Sequence, residues 1–202
     1  MLIKASGVTN LSDARYFAAR EVRFLGFNLD EGSAGYVEPS MLHAIREWVE
    51  GPLIVGEFSA APIELVREAA SFYRLDAVQV STDQHQPVLA SLEGLTVLLH
   101  LPPDGTPDTA AELMRSSRPY VDFFVVPLDA PSLDAGSLHA WSQLAAQYPV
   151  LLQCDASGSA LAGILEQIKP AGISVVGGEE ERPGVKSFEE LEEIFDVVEG
   201  AA

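Results

Sequence analysis

The sequence predicts an α/β protein whose strands close into a (β/α)8 barrel of minimal size. Eight short apolar runs recur along the 202 residues, segments with a helical period separate them, and no long insertion interrupts the series. This even spacing favours a closed barrel over an open doubly wound sheet, which needs a switch point and usually carries a glycine-rich dinucleotide motif that is missing here. We therefore expect a single domain over residues 1–202.

The first unit sets the pattern, with a strand at Leu2–Ala5, a helix at Leu11–Arg20 and a second strand at Phe24–Asn28. Ser6 and Gly7 form the turn after the first strand, and the side chain of Asn10 or Ser12 can cap the helix. Two strands joined by a helix lie parallel with a right-handed crossover, so this unit is a βαβ motif.

The later apolar runs and helical segments repeat this unit. Further strands are predicted at Leu53–Phe58, Ala77–Val80, Thr96–Leu101, Phe123–Leu128, Val150–Cys154 and Ile173–Val176. Helices that begin at or beside Pro or Ser, as helix N-termini prefer, are predicted at Pro39–Val49, Pro62–Phe72, Pro87–Leu92, Pro107–Arg115, Ser137–Gln147, Ser157–Lys169 and Ser187–Val198. Trp48 and Trp141 are expected to pack on helix faces against the barrel.

The composition excludes several classes of partner. There are 12 Lys and Arg residues against 30 Asp and Glu residues, and the resulting net charge of −18 would repel nucleic acid and anionic membranes. Such an acidic surface is typical of a halophilic cytoplasm. No apolar run reaches about 18 residues and no signal-peptide pattern is present, so a cytoplasmic location is expected. The single Cys154 is expected to be a buried, inert thiol.

Active sites of such barrels lie at the carboxyl ends of the strands, where this chain places a ring of polar residues. In strand order these are Lys4 and Ser6, Asn28 and Asp30, Glu57, Gln79 and Ser81, His100, Asp129, Gln153 and Asp155, and Gly177 and Gly178. Residues two apart on a strand face the same side, and polar groups inside apolar strands need partners. The ring is therefore a candidate ligand site, with a plug of mutually bonded side chains as the alternative. Lys4 in particular requires a carboxylate or a ligand.

Five stretches of the chain stand out as a set: Lys4–Arg15, Leu25–Phe27, Gly32–Pro39, Asp76–Gln79 and Pro183–Lys186. Together they resemble the signature segments of phosphoribosylanthranilate isomerase, an enzyme of tryptophan biosynthesis. The middle of the chain matches in strand order more than in motif. The resemblance implies a TIM barrel that catalyses an Amadori rearrangement. In that reaction a general acid opens the ribose ring, a general base removes the C2′ proton, and the loops after strands seven and eight hold the phosphate.

The chain departs from the family pattern at the positions that carry this chemistry. The family's base is a cysteine whose place is taken by Ser6, and an alcohol without an activating partner is a far poorer proton acceptor than a thiolate. The family's acid aligns with Pro127, and Asp129 is a candidate substitute two residues further on. Gly35 replaces the arginine that binds the substrate carboxylate, and Ser81 replaces a histidine of strand four.

The implied phosphate site changes as well. The loop after strand seven reads Gln153–Gly158 and contains Asp155, and Gly177 and Gly178 after strand eight are followed by Glu179–Glu181. A phosphate site relies on backbone N–H groups and a helix N-terminus, and neighbouring carboxylates oppose it.

These changes favour a diverged family member that has lost or altered the isomerase activity and binds an unknown small molecule, either neutral or cationic. One alternative is an active isomerase with Asp129 as acid and with Ser6, activated by His100 or Glu57, as base. Another is a barrel that binds no ligand and serves as an interaction partner. No cofactor is predicted, and no metal either, since Glu57, His100 and Asp155 lack a metal-binding spacing. We expect a monomer or a homodimer.

Overall fold

Eight parallel strands form a closed barrel in sequence order, as predicted. The computed structural model describes residues 1–82, 86–176, 180–182, 185–186 and 189–200. The barrel strands are β1 (Leu2–Ser6), β2 (Phe24–Asn28), β3 (Leu53–Phe58), β4 (Ala77–Ser81), β5 (Thr96–His100), β6 (Phe123–Leu128), β7 (Val150–Cys154) and β8 (Gly172–Val176). A short antiparallel hairpin, β9 (Glu180–Arg182) and β10 (Val185–Lys186), lies between β8 and the last helix.

A helix follows each barrel strand. These are α1 (Leu11–Ala19), α2 (Pro39–Trp48), α3 (Ile63–Tyr73), α4 (Gln86–Leu89), α5 (Pro107–Ser117), α6 (Ala135–Ala145), α7 (Gly158–Ile168) and α8 (Glu189–Gly200). Three 3-10 turns add Ala90–Leu92, Arg118–Tyr120 and Ala130–Ser132. The predicted strands and helices are confirmed, with ends that differ by at most two residues. The exception is the helix predicted at Pro87–Leu92, which ends at Leu89 and continues as the 3-10 turn Ala90–Leu92.

Side-chain caps determine where two of the helices begin. The backbone N–H of Asp13 donates to the side-chain oxygen of Asn10 at 2.9 Å, so Asn10 caps α1. Helix α6 begins at Ala135 rather than at Ser137 because the Asp134 carboxylate accepts a hydrogen bond from the Ser137 N–H at 2.7 Å. The same bond holds the pKa of Asp134 below its ordinary value.

The prediction for the two tryptophans is confirmed for Trp141 and wrong for Trp48. Trp141 is buried in the middle of α6. Trp48, the last residue of α2, is 67% exposed, because the buried face of this helix is formed by Leu42 and Ile45.

The hydrophobic core has two layers. Outward-facing strand residues such as Phe27, Val78 and Leu152 pack against the helices in one large cluster. The barrel interior holds a smaller cluster of Phe24, Val55, Ala77, Leu98, Val125 and Leu151. This inner cluster fills the lower half of the barrel with apolar side chains. The polar residues at the carboxyl ends of the strands lie above it and form a separate polar layer.

Contacts between the first and last helices support closure of the barrel between β1 and β8. Arg20 at the end of α1 forms ion pairs with Glu192 and Glu199 of α8. Its guanidinium also lies 5.0 Å from the ring centroid of Phe195, and Tyr16 donates a hydrogen bond to Glu192 at 2.7 Å.

No helix in the described part of the chain is both long and apolar enough to cross a membrane.

Candidate functional site

The strand register places the predicted polar residues on the inner wall of the barrel. Lys4 pairs with Phe24 of β2 and Ser174 of β8, and Phe24 belongs to the inner cluster. Because side chains alternate along each strand, the residues that share this parity also point inward. They are Lys4, Ser6, Asn28, Glu57, Gln79, Ser81, His100, Gln153 and Ser174.

Lys4 is the centre of this polar layer. Its side chain is fully buried, and its ammonium group contacts Glu57 Oε1 and Ser6 Oγ. The second carboxylate oxygen of Glu57 accepts a hydrogen bond from the Gly7 N–H at 3.0 Å, and Ser6 Oγ lies 3.0 Å from Ser174 Oγ. The partner that the sequence required for Lys4 is therefore Glu57, and we call Lys4, Ser6, Glu57 and Ser174 the Lys4 network.

Two glycines make room for this network. A Cβ on Gly26 would collide with Glu57 Oε1 and lie 3.0 Å from Lys4 Nζ, so the ion pair occupies the space that a side chain on β2 would fill. Gly7 has a φ of +63°, a conformation that residues with a side chain rarely adopt. This turn directs the Gly7 N–H back to Glu57.

His100 is coupled to the same charges. Loss of solvation lowers the pKa of His100, and the nearby charge of Lys4 lowers it further, whereas Glu57 and a side-chain hydrogen bond with Gln153 act in the opposite direction. The net effect is that the imidazole stays neutral to a lower pH than a histidine in water. Among the described residues, the mouth of the barrel thus contains the largely buried ion pair of Lys4 with Glu57 and a neutral imidazole at His100.

Other predicted site residues are used to hold loops. The Asn28 amide donates to Ser33 Oγ and to the Ala34 carbonyl, both at 2.8 Å, which fixes the loop after β2. Ser81 Oγ donates to the Ser59 carbonyl at 2.9 Å. By contrast, the buried Oε1 of Gln79 has no hydrogen-bond partner among the described residues.

A cavity of 320 Å³ opens at the carboxyl ends of β7 and β8. Its described lining consists of Gln153, Cys154, Asp155, Ala156, Ser157, Ser174, Val175, Val176, Leu191 and Ile194, and Asp155 is the charged group among them. Burial raises the pKa of the Cys154 thiol, and the charge of Asp155 adds to this effect.

A second carboxylate lies beside the first turn of α7. Glu193 Oε2 is 3.8 Å from the point where a Cβ on Gly158, the first residue of α7, would sit. A helix N-terminus attracts negative charge, so this carboxylate is favourably placed there. It also adds negative charge next to the cavity.

The remaining predicted positions are less central. Asp129 is exposed and lies after the end of β6, and Pro127 holds the inward position opposite Gln153. Gly35 has a φ of +74° in the loop after β2. Gly177 and Gly178 lie outside the described residues. Within the described part of the chain no cluster of three metal-binding side chains occurs, and Glu57, His100 and Asp155 form no such group there.

The sequence interpretation missed Ser174. Its signal was a lone hydroxyl residue inside the apolar run of β8, two residues before the end of the strand. Serine is small and common in loops, so its position inside the barrel became evident only from its contact with Ser6.

The fold defines a (β/α)8 barrel with a layer of polar side chains at the carboxyl ends of its strands. The family model of N-(5′-phosphoribosyl)anthranilate isomerase matches residues 3–197, and the chain belongs to this family.

Individual relatives agree with this assignment. The chain is 28% identical to the isomerase of Deinococcus radiodurans, over 97% of this chain and 95% of that protein. It is 30% identical to the isomerase of Myxococcus xanthus, over 93% and 91%. A crystal structure of the Thermus thermophilus enzyme superposes with a TM-score of 0.77 at 26% identity and covers all of both chains.

Proposed function

We propose that this member of the family has lost the Amadori isomerisation and binds a small neutral or cationic molecule at the mouth of its barrel. The observation that carries this proposal is the acidic character of the cavity after β7 and β8, where the resemblance implies a phosphate site. Asp155 lines the cavity and Glu193 lies beside the first turn of α7. A phosphate would bring two more negative charges to these carboxylates.

The position of the family's base supports the same proposal. Ser6 Oγ accepts a hydrogen bond from Lys4, which as an ammonium ion can only donate. A hydroxyl held in this way presents a weak acceptor to the C2′ proton of a substrate.

The positions of the family's general acid and of its carboxylate-binding arginine support the same proposal. Pro127 has no proton to give, and the candidate replacement Asp129 is exposed beyond the end of β6. Gly35 offers no cation to a substrate carboxylate. Four sites have therefore changed: those of the base, the acid, the substrate carboxylate and the phosphate. Together these changes remove the groups that recognise the charges of the substrate as well as those that transfer its protons.

A second candidate function is an active isomerase with a relocated acid and base. The contact of Lys4 with both Ser6 and Glu57 favours it, because Glu57 can receive a proton from Ser6 through Lys4. This candidate still requires Asp129 to act as the acid from an exposed position.

An isomerisation assay with phosphoribosylanthranilate separates the candidates. The unmodified protein and Ser6→Cys are assayed at low and at molar KCl, with Ser116→Cys on the exposed face of α5 as the matched control. We expect no turnover by any of the three, because a thiol at position 6 restores neither the acid nor the anion sites. Turnover by the unmodified protein would establish the second candidate.

Inorganic phosphate tests the ligand class separately. At constant ionic strength, we expect phosphate up to about 10 mM to leave the melting temperature unchanged, whereas a site that binds phosphate would raise the stability by mass action. A rise that Asp155→Asn enlarges would mean that the cavity remains a phosphate site and would contradict the proposal.

A further inference from the structure

The Lys4 network contains the parts of an activated serine nucleophile. Such a site requires a hydroxyl, a group that removes its proton and a third group that orients the second. Ser6 Oγ contacts Lys4 Nζ, and Lys4 Nζ contacts Glu57 Oε1. We propose that Ser6 attacks small uncharged carboxylic esters and forms an acyl-enzyme, an inference that rests on the proposed loss of isomerase activity.

The backbone holds the three groups in place. Glu57 is fixed by the Gly7 N–H at 3.0 Å, and Ser6 Oγ is fixed from the other side by Ser174 Oγ at 3.0 Å. Gly26 provides the space for the ion pair, because any side chain at that position would displace Glu57. Each rotamer in the network is therefore constrained by a neighbour, as catalysis by positioned groups requires.

Ser6 is the outer member of this network. It ends β1 at the face of the barrel where active sites lie, and it is 8% exposed, whereas Lys4 is fully buried beneath it. A ligand that enters from the mouth therefore reaches the hydroxyl before it reaches the ammonium group. Lys4 is fully buried and the Glu57 side chain is 13% exposed, so little water reaches the path along which the proton must move.

The acylation step balances within these residues. Lys4 Nζ first gives a proton to Glu57 Oε1, which leaves a neutral amine and a neutral carboxylic acid. Ser6 Oγ then forms a bond to the ester carbonyl carbon, and its proton passes to the Lys4 amine. The bond between that carbon and the alcohol oxygen then breaks, and the leaving alcohol takes a proton from Lys4, which regains one from Glu57. Attack of water on the acyl group follows the same path and returns Ser6 to its hydroxyl form, so the products are a carboxylic acid and an alcohol.

The cavity beside Ser174 indicates the kind of ester. Val176, Leu191 and Ile194 give it an apolar wall that suits a short acyl chain, and Asp155 disfavours an anionic one. Ser157, the cap residue of α7, also lines the cavity, and its side chain makes no hydrogen bond to the helix. Backbone N–H groups of a first helical turn are donors for the oxyanion of the tetrahedral intermediate.

The test uses p-nitrophenyl butyrate and a fluorophosphonate probe with the full chain. We expect a burst of p-nitrophenol and a single covalent adduct, located on the peptide that contains Ser6 by mass spectrometry. Ser6→Ala should abolish the adduct, while Ser6→Cys should still be acylated by the ester. Ser91→Ala, which removes an exposed hydroxyl near α4, serves as the matched control and should react like the unmodified protein.

Glu57 acts through Lys4 and is a positioning residue, so its variant needs a kinetic readout. We expect Glu57→Gln to lower the acylation rate constant about 100-fold, within the range for loss of a general base. The dissociation constant of the ester, taken from the concentration dependence of the acylation rate, should stay unchanged. Cooperative urea unfolding of each variant confirms that it is folded. If Glu57→Gln fails to fold, Ser174→Ala replaces it, and a smaller loss in the rate constant alone is then expected.

An adduct on any residue other than Ser6, or the absence of an adduct on the folded protein, would overturn the nucleophile proposal. That outcome is distinct from failure of the proposed function, which only turnover of phosphoribosylanthranilate or binding of phosphate would show.

Discussion

At the scale of single residues, the burial of Lys4 determines much of the chemistry at the mouth of the barrel. A fully buried ammonium ion is costly unless a carboxylate and further hydrogen bonds compensate for its lost hydration. Glu57 and Ser6 provide that compensation, and Glu57 in turn uses the Gly7 N–H. The polar layer is consequently a set of mutually dependent groups, in which the loss of one leaves the others unpaired.

His100 gives the first prediction at this scale. Its pKa in the folded protein lies below the ordinary value of 6.5, through loss of solvation first and the charge of Lys4 second. As the pH falls below about 6.5, His100 therefore binds a proton more readily in the unfolded chain than in the folded one. The stability from the neutral imidazole is therefore complete above about pH 6.5 and is lost as the pH falls towards the lower folded pKa.

We expect the free energy of unfolding to fall more steeply between pH 7 and pH 5 in the unmodified protein than in His100→Gln. The measurement is urea denaturation at several pH values, with exposed His139→Gln as the control that keeps the unmodified slope. Equal slopes for the unmodified protein and His100→Gln would contradict the burial and charge effects at His100.

At the scale of elements, Asp30 connects two neighbouring units of the barrel. It follows β2, and its buried carboxylate accepts hydrogen bonds from the N–H groups of Ser59, Ala60 and Ala61 at 2.6 to 3.1 Å. These three groups form the connection from β3 to α3, so a single side chain holds a loop at the mouth. The sequence analysis placed Asp30 in the polar ring, and the hydrogen bonds assign it a structural part there.

We expect Asp30→Asn to lower the free energy of unfolding by about 2 kcal/mol, because an amide keeps one acceptor oxygen but turns N–H groups towards other N–H groups. Hydrogen exchange of residues 59–61 should become faster. Asp129→Asn, at an exposed carboxylate after β6, is the matched control and should change the stability by less than about 0.5 kcal/mol. Unchanged exchange in Asp30→Asn would show that the loop is held by other contacts.

At the opposite end of the barrel, two aspartates make the same kind of hydrogen bond to a neighbouring strand. Asp76, just before β4, accepts from the Ile54 N–H at 2.9 Å, and Asp122, just before β6, accepts from the Val97 N–H at 2.8 Å. In both cases the aspartate carboxylate accepts a hydrogen bond from a backbone N–H group near the start of the preceding strand. The repetition is consistent with a barrel built from recurring β/α units.

At the scale of the whole molecule, the net charge of −18 is the dominant property. Carboxylates in such excess repel one another, and the compact state concentrates them. Salt shortens the Debye length from about 30 Å at 0.01 M to about 3 Å at 1 M and so weakens this repulsion.

We therefore expect the melting temperature to rise continuously when KCl is raised from 0.01 M to 1 M. Differential scanning calorimetry measures the effect, and the same series in sucrose distinguishes screening from general solvent exclusion. A melting temperature that is independent of KCl would argue against a halophilic adaptation of the surface.

The sequence by itself determined the order of strands and helices and the inward parity of the polar residues. Period and spacing suffice for this, since alternation along a strand and short connections leave few arrangements for eight β/α units. The same reasoning required a partner for Lys4, because a charge inside an apolar strand cannot remain unpaired.

Only the tertiary structure decided which groups meet. The contact of Lys4 with Glu57 joins residues 53 positions apart, and that of Ser6 with Ser174 joins residues 168 positions apart. Such pairs depend on the closure of the barrel and on the space left by Gly26, neither of which is encoded locally. For the same reason Asn28, Asp30 and Ser81, which look like ligand groups in the sequence, are found holding loops: their partners come from loops whose path only the closed fold defines.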